Sequence, residues 1–356
     1  MRQNLSSVCQ ILGTFLSICV LAWVLSSPSR AQTVPAQSEA QTFEVSYLTL
    51  RNRTGSPEPG ETYGGERSNL KAGLCRVGAL DLGVLSPLAE AAPSFMREEL
   101  LRVQDVREMK PVSILARLEQ TAGPPGPALY VHGYFIGFEK GCRRAALLQQ
   151  SAGLDGRFLW FSWPSDGAAA YYTRDEADLY WSVPDLADTI MELEQRFGAG
   201  VVDVIGHSLG ARGVVLALYE LASRRADIRL GHVVLLAPDM DFGIFARIVP
   251  SITPIASSVT VYAATGDKPL ALSAQLHGYA RLGESGNDVA EIAGVEVIDV
   301  GDLTGESPTG HLYHIYSPDV GADLKQLLDE DKRAARRSGL LAKGENLWHL
   351  QPSVRD

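Results

Sequence analysis

From Ala128 to Glu330 the sequence alternates between short apolar, β-branched runs and longer segments with helical spacing. Predicted helices separate six predicted strands, at residues 128–131, 157–162, 201–205, 232–236, 258–263 and 295–300. Strands that alternate with helices run parallel in one sheet, so we predict an α/β fold, a mainly parallel central sheet with helices on both faces. Ligands of such sheets bind beyond the carboxyl ends of the strands. Residues that directly follow a strand are therefore the first candidates for function.

The third of these strands runs into the motif Gly206-His207-Ser208-Leu209-Gly210, and a helix is predicted from Ala211 to Leu221. A G-x-S-x-G motif between a strand and a helix is typical of a nucleophile elbow, in which the serine lies at the tip of a sharp turn. The two glycines remove side chains that would crowd this turn. Free N–H groups at the helix N-terminus can bind an anionic intermediate. Ser208 is therefore the candidate nucleophile.

A serine hydroxyl becomes reactive when a base takes its proton, and that base is usually a histidine oriented by a carboxylate. In chains with this kind of elbow, the acid and then the histidine follow the serine. His311 lies in the loop between the last predicted strand and the last predicted helix, and it is the preferred base. His314 is the alternative. Three further histidines have weaker positions, at a strand start, after a helix and in the C-terminal tail: His232, His277 and His349.

The preferred acid is Asp267, which follows the predicted strand at residues 258–263. Its neighbours Gly266 and Pro269 leave open that it is only a turn residue, because aspartate is common in turns. Asp239 and Asp241 follow the strand immediately after the elbow helix and are the alternative acids.

The oxyanion hole requires two backbone N–H groups that point at the developing negative charge. Leu209, the residue after the nucleophile, is expected to provide one of them. The second is expected from Tyr134, in the loop that follows the strand at residues 128–131. A tight turn with no catalytic role is the alternative interpretation of this loop. His207 precedes the nucleophile and is interpreted as structural.

Several of these segments, with two others, carry a resemblance to a known family: Tyr130-Val131-His132-Gly133-Tyr134 with Phe138, Phe161-Ser162-Trp163-Pro164-Ser165, Ala237-Pro238-Asp239 and Gly310-His311. With the elbow, they resemble the α/β-hydrolase family long labelled domain of unknown function 900, over residues 43–328. The resemblance implies the α/β-hydrolase fold and assigns Ser208, Asp267 and His311 as the site residues. The elbow is also similar to those of lipases and esterases. Phe135 departs from the family, in which asparagine is common after His-Gly-Tyr, so different substrate contacts are expected there.

The N-terminal region differs from the rest of the chain. Residues 11–25 are almost entirely apolar, and Ser29 and Ala31 are small, which is typical of a secretory signal peptide over residues 1–31. A retained N-terminal membrane anchor is the alternative. We predict a linker at residues 32–42, a hydrolase domain at residues 43–331 and a basic helical C-terminal tail at residues 332–356.

Three local features have more specific interpretations. Residues 43–50 alternate between apolar and polar side chains and are predicted to be an edge strand. Pro184 is predicted to break or begin a helix within residues 176–197, because proline removes a helical hydrogen bond. Four aromatic residues are interpreted as core packing, with a lid over the site as the alternative: Tyr171, Tyr172, Tyr180 and Trp181.

The number and position of the cysteines are relevant to the cellular compartment of the protein. Removal of the leader leaves Cys75 and Cys142. Export to the periplasm or the extracellular space would allow them to form one disulfide. Two separate buried thiols are the alternative.

The net charge is −10 and the basic residues are scattered, so the sequence does not indicate a basic patch that would bind nucleic acid. Zinc-protease, paired C-x-x-C, phosphate-loop and dinucleotide motifs are not present in the sequence, so no cofactor or metal is expected.

We therefore predict an exported serine hydrolase that cleaves a small-molecule or lipid-like carboxylic ester, with an amide or thioester as the alternative bond. The contrasting hypothesis is a catalytically silent binding or scaffold protein of the cell envelope with the hydrolase fold. Membrane contact is expected only if the leader is retained.

Overall fold

The structure is a computed structural model that describes residues 42–80, 92–286 and 288–353. Within these residues, eleven strands form one sheet, in the order β10-β11-β9-β8-β7-β6-β4-β5-β1-β2-β3. The strands are β1 (Thr42–Arg53), β2 (Tyr63–Ala79), β3 (Leu101–Met109), β4 (Ala128–Val131), β5 (Phe158–Ser162), β6 (Asp203–His207), β7 (Leu230–Leu236), β8 (Ala256–Ala263), β9 (Val295–Asp299), β10 (Leu340–Ala342) and β11 (Leu347–Leu350). Eight strands are neighbours in the order β1, β5, β4, β6, β7, β8, β9 and β11, and each neighbouring pair among them is parallel.

The helices connect these strands, as the alternating sequence predicts. They are α1 (Ser94–Glu98), α2 (Pro111–Thr121), α3 (Phe138–Ser151), α4 (Tyr172–Phe197), α5 (Leu209–Arg224), α6 (Phe242–Ile252), α7 (Lys268–His277), α8 (Tyr313–Tyr316) and α9 (Pro318–Leu328). In the part of the chain that the structure describes, no helix is long and apolar enough to cross a membrane.

The central strands are buried on both faces. In β4, Leu129 and Val131 belong to one hydrophobic cluster, and Ala128 and Tyr130 belong to the other. Successive side chains of a strand point to opposite faces, so each cluster is the core on one side of the sheet. The predicted α/β-hydrolase fold, with a mainly parallel sheet and helices on both faces, is confirmed.

The prediction of an edge strand at residues 43–50 is wrong. β1 lies inside the sheet, antiparallel to β2 and parallel to β5, because β2 and β3 extend the sheet beyond it. Cys75 of β2 and Cys142 of α3 form the disulfide that the sequence allowed, with an S–S distance of 1.98 Å. The disulfide ties the antiparallel part of the sheet to the helix that follows β4.

Pro184 does not break or begin a helix, because α4 continues through it from Tyr172 to Phe197. The proline ring lies on the exposed side of the helix. Residues on the other side, including Leu179, Leu186 and Ile190, are buried in the core. This packing offsets the cost of the helical hydrogen bond that proline removes.

The prediction of a basic helical tail at residues 332–356 is also wrong. Of residues 332–353, only a single turn at Ala334–Arg336 is helical, and β10 and β11 then extend the sheet beyond β9. Arg337 is buried and binds Asp323 of α9 at 2.7 Å. Ion pairing inside the domain therefore explains part of the basic run that resembled a solvated helix. The predicted leader at residues 1–31 lies outside the described residues, as does the linker at 32–42 except for Thr42.

Candidate active site

Ser208 lies between the end of β6 and the start of α5, at the centre of the parallel sheet. Its backbone has φ +54° and ψ −123°, which is an uncommon conformation for a residue with a side chain. Its N–H donates to the carbonyl of Leu236 at 2.9 Å, and its carbonyl accepts from the N–H of Asp239 at 3.1 Å. These bonds to the end of β7 and the loop after it hold the strained residue in place.

The two glycines of the elbow allow the helix to pack directly against the sheet. A Cβ atom at Gly206 would lie 2.5 Å from the Cα of Ala211, and one at Gly210 would lie 2.2 Å from the carbonyl oxygen of His132. Both distances are far shorter than any Cβ contact that a folded protein tolerates. The G-x-S-x-G spacing therefore has a steric cause at each glycine.

Asp267 and His311 are in direct contact. Nδ1 of His311 lies 2.7 Å from Oδ2 of Asp267, and both side chains are buried. The other oxygen of this carboxylate accepts from the N–H of Leu270 at 3.1 Å and caps α7. Because Nδ1–H donates to the acid, Nε2 of His311 is left as the free acceptor of the ring.

The loops that carry the acid and the histidine are joined. Lys268 N–H donates to the carbonyl of Thr309 at 3.1 Å. Gly310 has φ +73°, and a Cβ there would lie 2.8 Å from the carbonyl oxygen of Gly266. Glycine therefore permits the close approach that brings His311 to Asp267.

His311 lies close to His207, the residue that precedes Ser208 in the elbow. The two imidazole rings are 4.7 Å apart, and Nε2 of His207 lies 3.3 Å from the carbonyl oxygen of His311. Within the described residues, the hydroxyl of Ser208 forms no hydrogen bond with His311. In ligand-free enzymes this bond is often long and forms only when substrate binds.

The loop after β4 lies against Ser208. A Cβ at Gly133 would lie 2.9 Å from the Cβ of Ser208. The ring of His132 stacks on the indole of Trp163 at 4.9 Å, and Nε1 of Trp163 donates to the carbonyl of His132 at 2.7 Å. Tyr134, the expected oxyanion donor, follows Gly133 in this loop, and Leu209 is the first residue of α5.

The alternative acids have other partners. The carboxylate of Asp239 accepts from the hydroxyls of Tyr172, at 2.5 Å, and Ser273, at 2.6 Å, and lies 3.3 Å from the guanidinium of Arg212. Asp241 caps α6 by accepting from the N–H of Ile244 at 2.9 Å. Neither is placed against His311, which already binds Asp267.

The other histidines of the described chain also have defined partners. His314 is buried, and its ring lies 4.2 Å from that of His207. His277 lies 3.1 Å from Glu176, His232 lies 2.8 Å from the hydroxyl of Ser258, and His349 lies 3.0 Å from Asp302. Only His311, among the histidines considered as the base, is paired with one of the candidate acids Asp267, Asp239 and Asp241.

Burial affects the charge of three histidines near the site: His132, His207 and His314. It lowers the pKa of His207 well below the ordinary value, and the nearby imidazoles of His314 and His311 lower it further. Burial also lowers the pKa of His132 and of His314. These side chains are therefore neutral packing groups at neutral pH. No group of three or more metal-ligating side chains is placed to bind a metal in the described part of the chain.

The aromatic cluster is divided between two environments. Tyr171, Tyr180 and Trp181 are exposed and are not core residues. The ring of Tyr172, in contrast, contacts the ring of Tyr134 edge-on at 5.0 Å. Its hydroxyl donates to Asp239, so this tyrosine connects the loop after β4 to the loop after β7.

Sequence reasoning missed two buried charged residues beneath the loop after β4. Arg51 is only 1% exposed and Asp175 is fully buried. Arg51 follows the apolar run of β1 directly, and a charged residue that continues such a run is a signal for a buried interaction. The strand predicted at residues 43–50 ends one residue before Arg51.

A parallel sheet whose central strand ends in a strained serine, with an aspartate and a histidine on later loops, defines the α/β-hydrolase class of fold. The family described as alpha/beta hydrolase of unknown function (DUF900) matches residues 127–330. The chain therefore belongs to this family, and the resemblance carried by its motifs is confirmed. No match to the sequence was found among curated proteins.

The chain is similar to solved structures of an esterase, a lipase and a lipase-esterase related protein. The esterase of Pyrobaculum calidifontis is 14% identical, with a TM-score of 0.33, over 91% of this chain and 94% of that chain. Lipase B of Aspergillus fumigatus is 15% identical, with a TM-score of 0.35, over 57% and 52%. A lipase-esterase related protein from Clostridium acetobutylicum is 13% identical, with a TM-score of 0.34, over 59% and 94%. The family assignment rests on the sequence match and not on these similarities.

Proposed function

We propose that this α/β hydrolase is a serine esterase that acts through an acyl-enzyme, with Ser208 as nucleophile, His311 as base and Asp267 as the acid that orients the base. The backbone N–H groups of Leu209 and Tyr134 bind the oxyanion. The observation that carries the proposal is the 2.7 Å contact between His311 and Asp267. It explains how a base can be held in one tautomer beside the elbow serine.

The proposed reaction has two halves. Oγ of Ser208 attacks the carbonyl carbon of the ester while Nε2 of His311 takes its proton. The tetrahedral intermediate collapses, the C–O bond to the alcohol breaks, and His311 returns the proton to the leaving alcohol. Water, deprotonated by His311, then attacks the acyl-enzyme, and the carboxylic acid is released as Ser208 recovers its proton.

A fluorophosphonate probe with peptide mapping tests the nucleophile. We expect covalent labelling at Ser208, and none in a folded Ser208→Ala variant. A panel of p-nitrophenyl esters of rising chain length, with matched amides and thioesters, then defines the bond and the acyl size. Folded, soluble wild-type protein that is not labelled at Ser208 would overturn the proposal in favour of a non-catalytic role.

We also propose that the protein is exported, to the periplasm or the extracellular space. A disulfide between Cys75 and Cys142 supports this, because such bonds persist in oxidising compartments. Cell fractionation with N-terminal sequencing tests both the location and cleavage after Ala31. A membrane-bound protein that still begins before residue 31 would indicate the anchored alternative.

A further inference from the structure

We propose that Asp175 and Arg51 are positioning residues for catalysis, because together they fix the loop 132–136 that presents the oxyanion donor. The inference rests on the proposed esterase function. It concerns residues that lie beneath the loop and belong to two other elements, β1 and α4. Their contacts define what each of them contributes.

Asp175 holds the loop by hydrogen bonds to its backbone. Oδ2 of Asp175 accepts from the N–H of Phe135 at 3.1 Å and from the hydroxyl of Ser165 at 2.5 Å. The hydroxyl oxygen of Ser165 in turn accepts from the N–H of Ile136 at 3.0 Å. The second oxygen of Asp175 accepts from the N–H of Asp166 at 2.9 Å. Two consecutive peptide groups of the loop are therefore bound to one carboxylate, directly and through Ser165.

These bonds hold a residue whose backbone is unfavourable. Phe135 has φ +64°, in the left-handed region that residues with a Cβ rarely adopt. Such a conformation persists only when surrounding contacts determine it. The N–H that Asp175 binds belongs to the peptide between Tyr134 and Phe135. A rotation there that relieves Phe135 can therefore displace Tyr134, whose own N–H is the candidate oxyanion donor.

Arg51 binds the C-terminal end of the same loop. One terminal nitrogen, Nη2, donates to the carbonyl of Ile136 at 2.6 Å, and the other, Nη1, donates to the carbonyl of Ser165 at 2.7 Å. Nε donates to the hydroxyl of Ser162 at 2.9 Å. The planar guanidinium therefore joins the end of β5 to the end of the loop after β4, which a lysine cannot do with a single ammonium.

The two residues also balance each other's charge. Burial lowers the pKa of Arg51 to about 9, while the negative charge of Asp175 acts in the opposite direction. Burial raises the pKa of Asp175, while its hydrogen bonds from Ser165, Asp166 and Phe135 and, with a smaller effect, the positive charge of Arg51 act against this. A buried charge without a counter-charge is strongly destabilising, and Arg51 and Asp175 each favour the ionised form of the other.

This arrangement matters for catalysis because an oxyanion hole works by being fixed before the charge develops. A misplacement of about 1 Å in a reacting geometry can cost about 100-fold in rate. We therefore expect Asp175→Asn to lower kcat on a p-nitrophenyl ester about 100-fold with little change in KM. We expect Arg51→Met to have the same effect and Arg51→Lys not to restore kcat.

The decisive experiment compares kcat with the affinity for an alkyl boronic acid, which forms a tetrahedral anionic adduct with the serine. In Asp175→Asn, the inhibition constant of the boronic acid should rise by the same factor by which kcat/KM falls. Rates are expressed per site titrated with the fluorophosphonate, well below the melting temperature of each variant. Asp323→Asn is the matched control, because Asp323 is equally buried and accepts from Tyr262 at 2.6 Å, away from the loop.

The proposal predicts that Asp323→Asn loses stability with unchanged kcat per site, while Asp175→Asn loses kcat and boronic acid affinity together. Unchanged kcat per site in Asp175→Asn would overturn it, as would a fall in kcat with unchanged boronic acid affinity. Wild-type protein that neither hydrolyses esters nor reacts at Ser208 would overturn the esterase function itself. That result is read from the wild type alone and is distinct from a failure of the positioning role.

Discussion

The carboxylate of Asp267 uses its two oxygens for two different partners. Oδ2 lies 2.7 Å from Nδ1 of His311, and Oδ1 accepts from the backbone N–H of Leu270 at 3.1 Å. An ionised carboxylate can accept at both positions, which an amide cannot do. This difference allows the acid to be identified by an isosteric substitution.

Asp267→Asn is expected to lower kcat/KM by about 10⁴-fold. Leu270 N–H requires an oxygen, so the amide nitrogen would turn toward His311 and favour the wrong tautomer of the ring. Steady-state kinetics on a p-nitrophenyl ester measures the change.

Asp239→Asn and Asp241→Asn are the comparison variants, since both positions were plausible acids in the sequence. We expect each to retain far more activity than Asp267→Asn. If Asp239→Asn or Asp241→Asn instead showed the larger loss, Asp267 would be the wrong acid.

Gly210→Ala is expected to abolish most activity and to destabilise the fold by about 1–3 kcal/mol, because the new Cβ would lie 2.2 Å from the backbone oxygen of His132. Gly305→Ala is the control, since a Cβ there would meet no atom within 4 Å. Denaturant unfolding and ester hydrolysis are measured for both variants. Equal behaviour of the two would contradict the steric account of the elbow.

Replacing Cys75 and Cys142 together with serine is expected to lower the free energy of unfolding by about 4 kcal/mol. The disulfide spans 67 residues, so its loss restores considerable loop entropy to the unfolded chain. Chemical denaturation of the oxidised wild type, the reduced wild type and the double variant measures this. A reduced wild type as stable as the oxidised protein would show that the disulfide adds nothing.

Stability is expected to fall as the pH drops below about 6.5. Burial lowers the pKa of His132, His207 and His314, so they stay neutral in the folded state and bind protons only on unfolding. The unfolded state thus binds more protons below its histidine pKa, and each residue contributes a slope of up to about 1.4 kcal/mol per pH unit.

Their contribution is fully present above the unfolded pKa and is lost as the pH falls through it. His314→Gln should reduce the slope of the free energy of unfolding against pH between 5 and 6.5 by about one proton. Urea titrations at several pH values measure the slope. An unchanged slope would mean that His314 is protonated in the folded state as well.

Arg337→Met is expected to destabilise the protein by about 3–5 kcal/mol, because it leaves Asp323 buried without its 2.7 Å partner. Arg336→Met, at the exposed neighbouring position, should change stability by less than about 0.5 kcal/mol. Thermal and denaturant unfolding of the pair measures the difference. Similar values for both variants would mean that the segment after Asp331 does not contribute to the core.

The sequence was sufficient to predict those strands and site residues for which the local pattern agrees with the tertiary structure. The six strands predicted between Ala128 and Val300 are present as β4 to β9. The loops that follow these strands hold Ser208, Asp267 and His311, because parallel strands place their carboxyl ends at one edge. The contact between His311 and Asp267 also agrees with the preferred acid and base. Their catalytic roles remain predictions.

The predictions that were wrong have a common physical cause: each depends on contacts between residues that are far apart in the sequence. Whether residues 43–50 lie at an edge depends on the pairing of β1 with β2 and of β2 with β3, and the local pattern of a strand does not show which strands it pairs with. Pro184 is tolerated because one helix face packs on the core. The basic segment is not a solvated helix, because Arg333 and Arg337 pair with the buried carboxylates of Glu296 and Asp323. Arg51 and Asp175 are 124 positions apart in the sequence and bind the loop at residues 132–136 only after folding, so no local window contains both.

The shared carboxylate of Asp267 links the orientation of the imidazole to the first turn of α7. When that turn frays, the Leu270 amide is released to solvent and the carboxylate gains freedom to rotate away from the ring. The exchange rate of one amide proton therefore reports on how often the acid and the histidine separate. A spectroscopist could follow the alignment of the site by hydrogen exchange at Leu270, without any substrate.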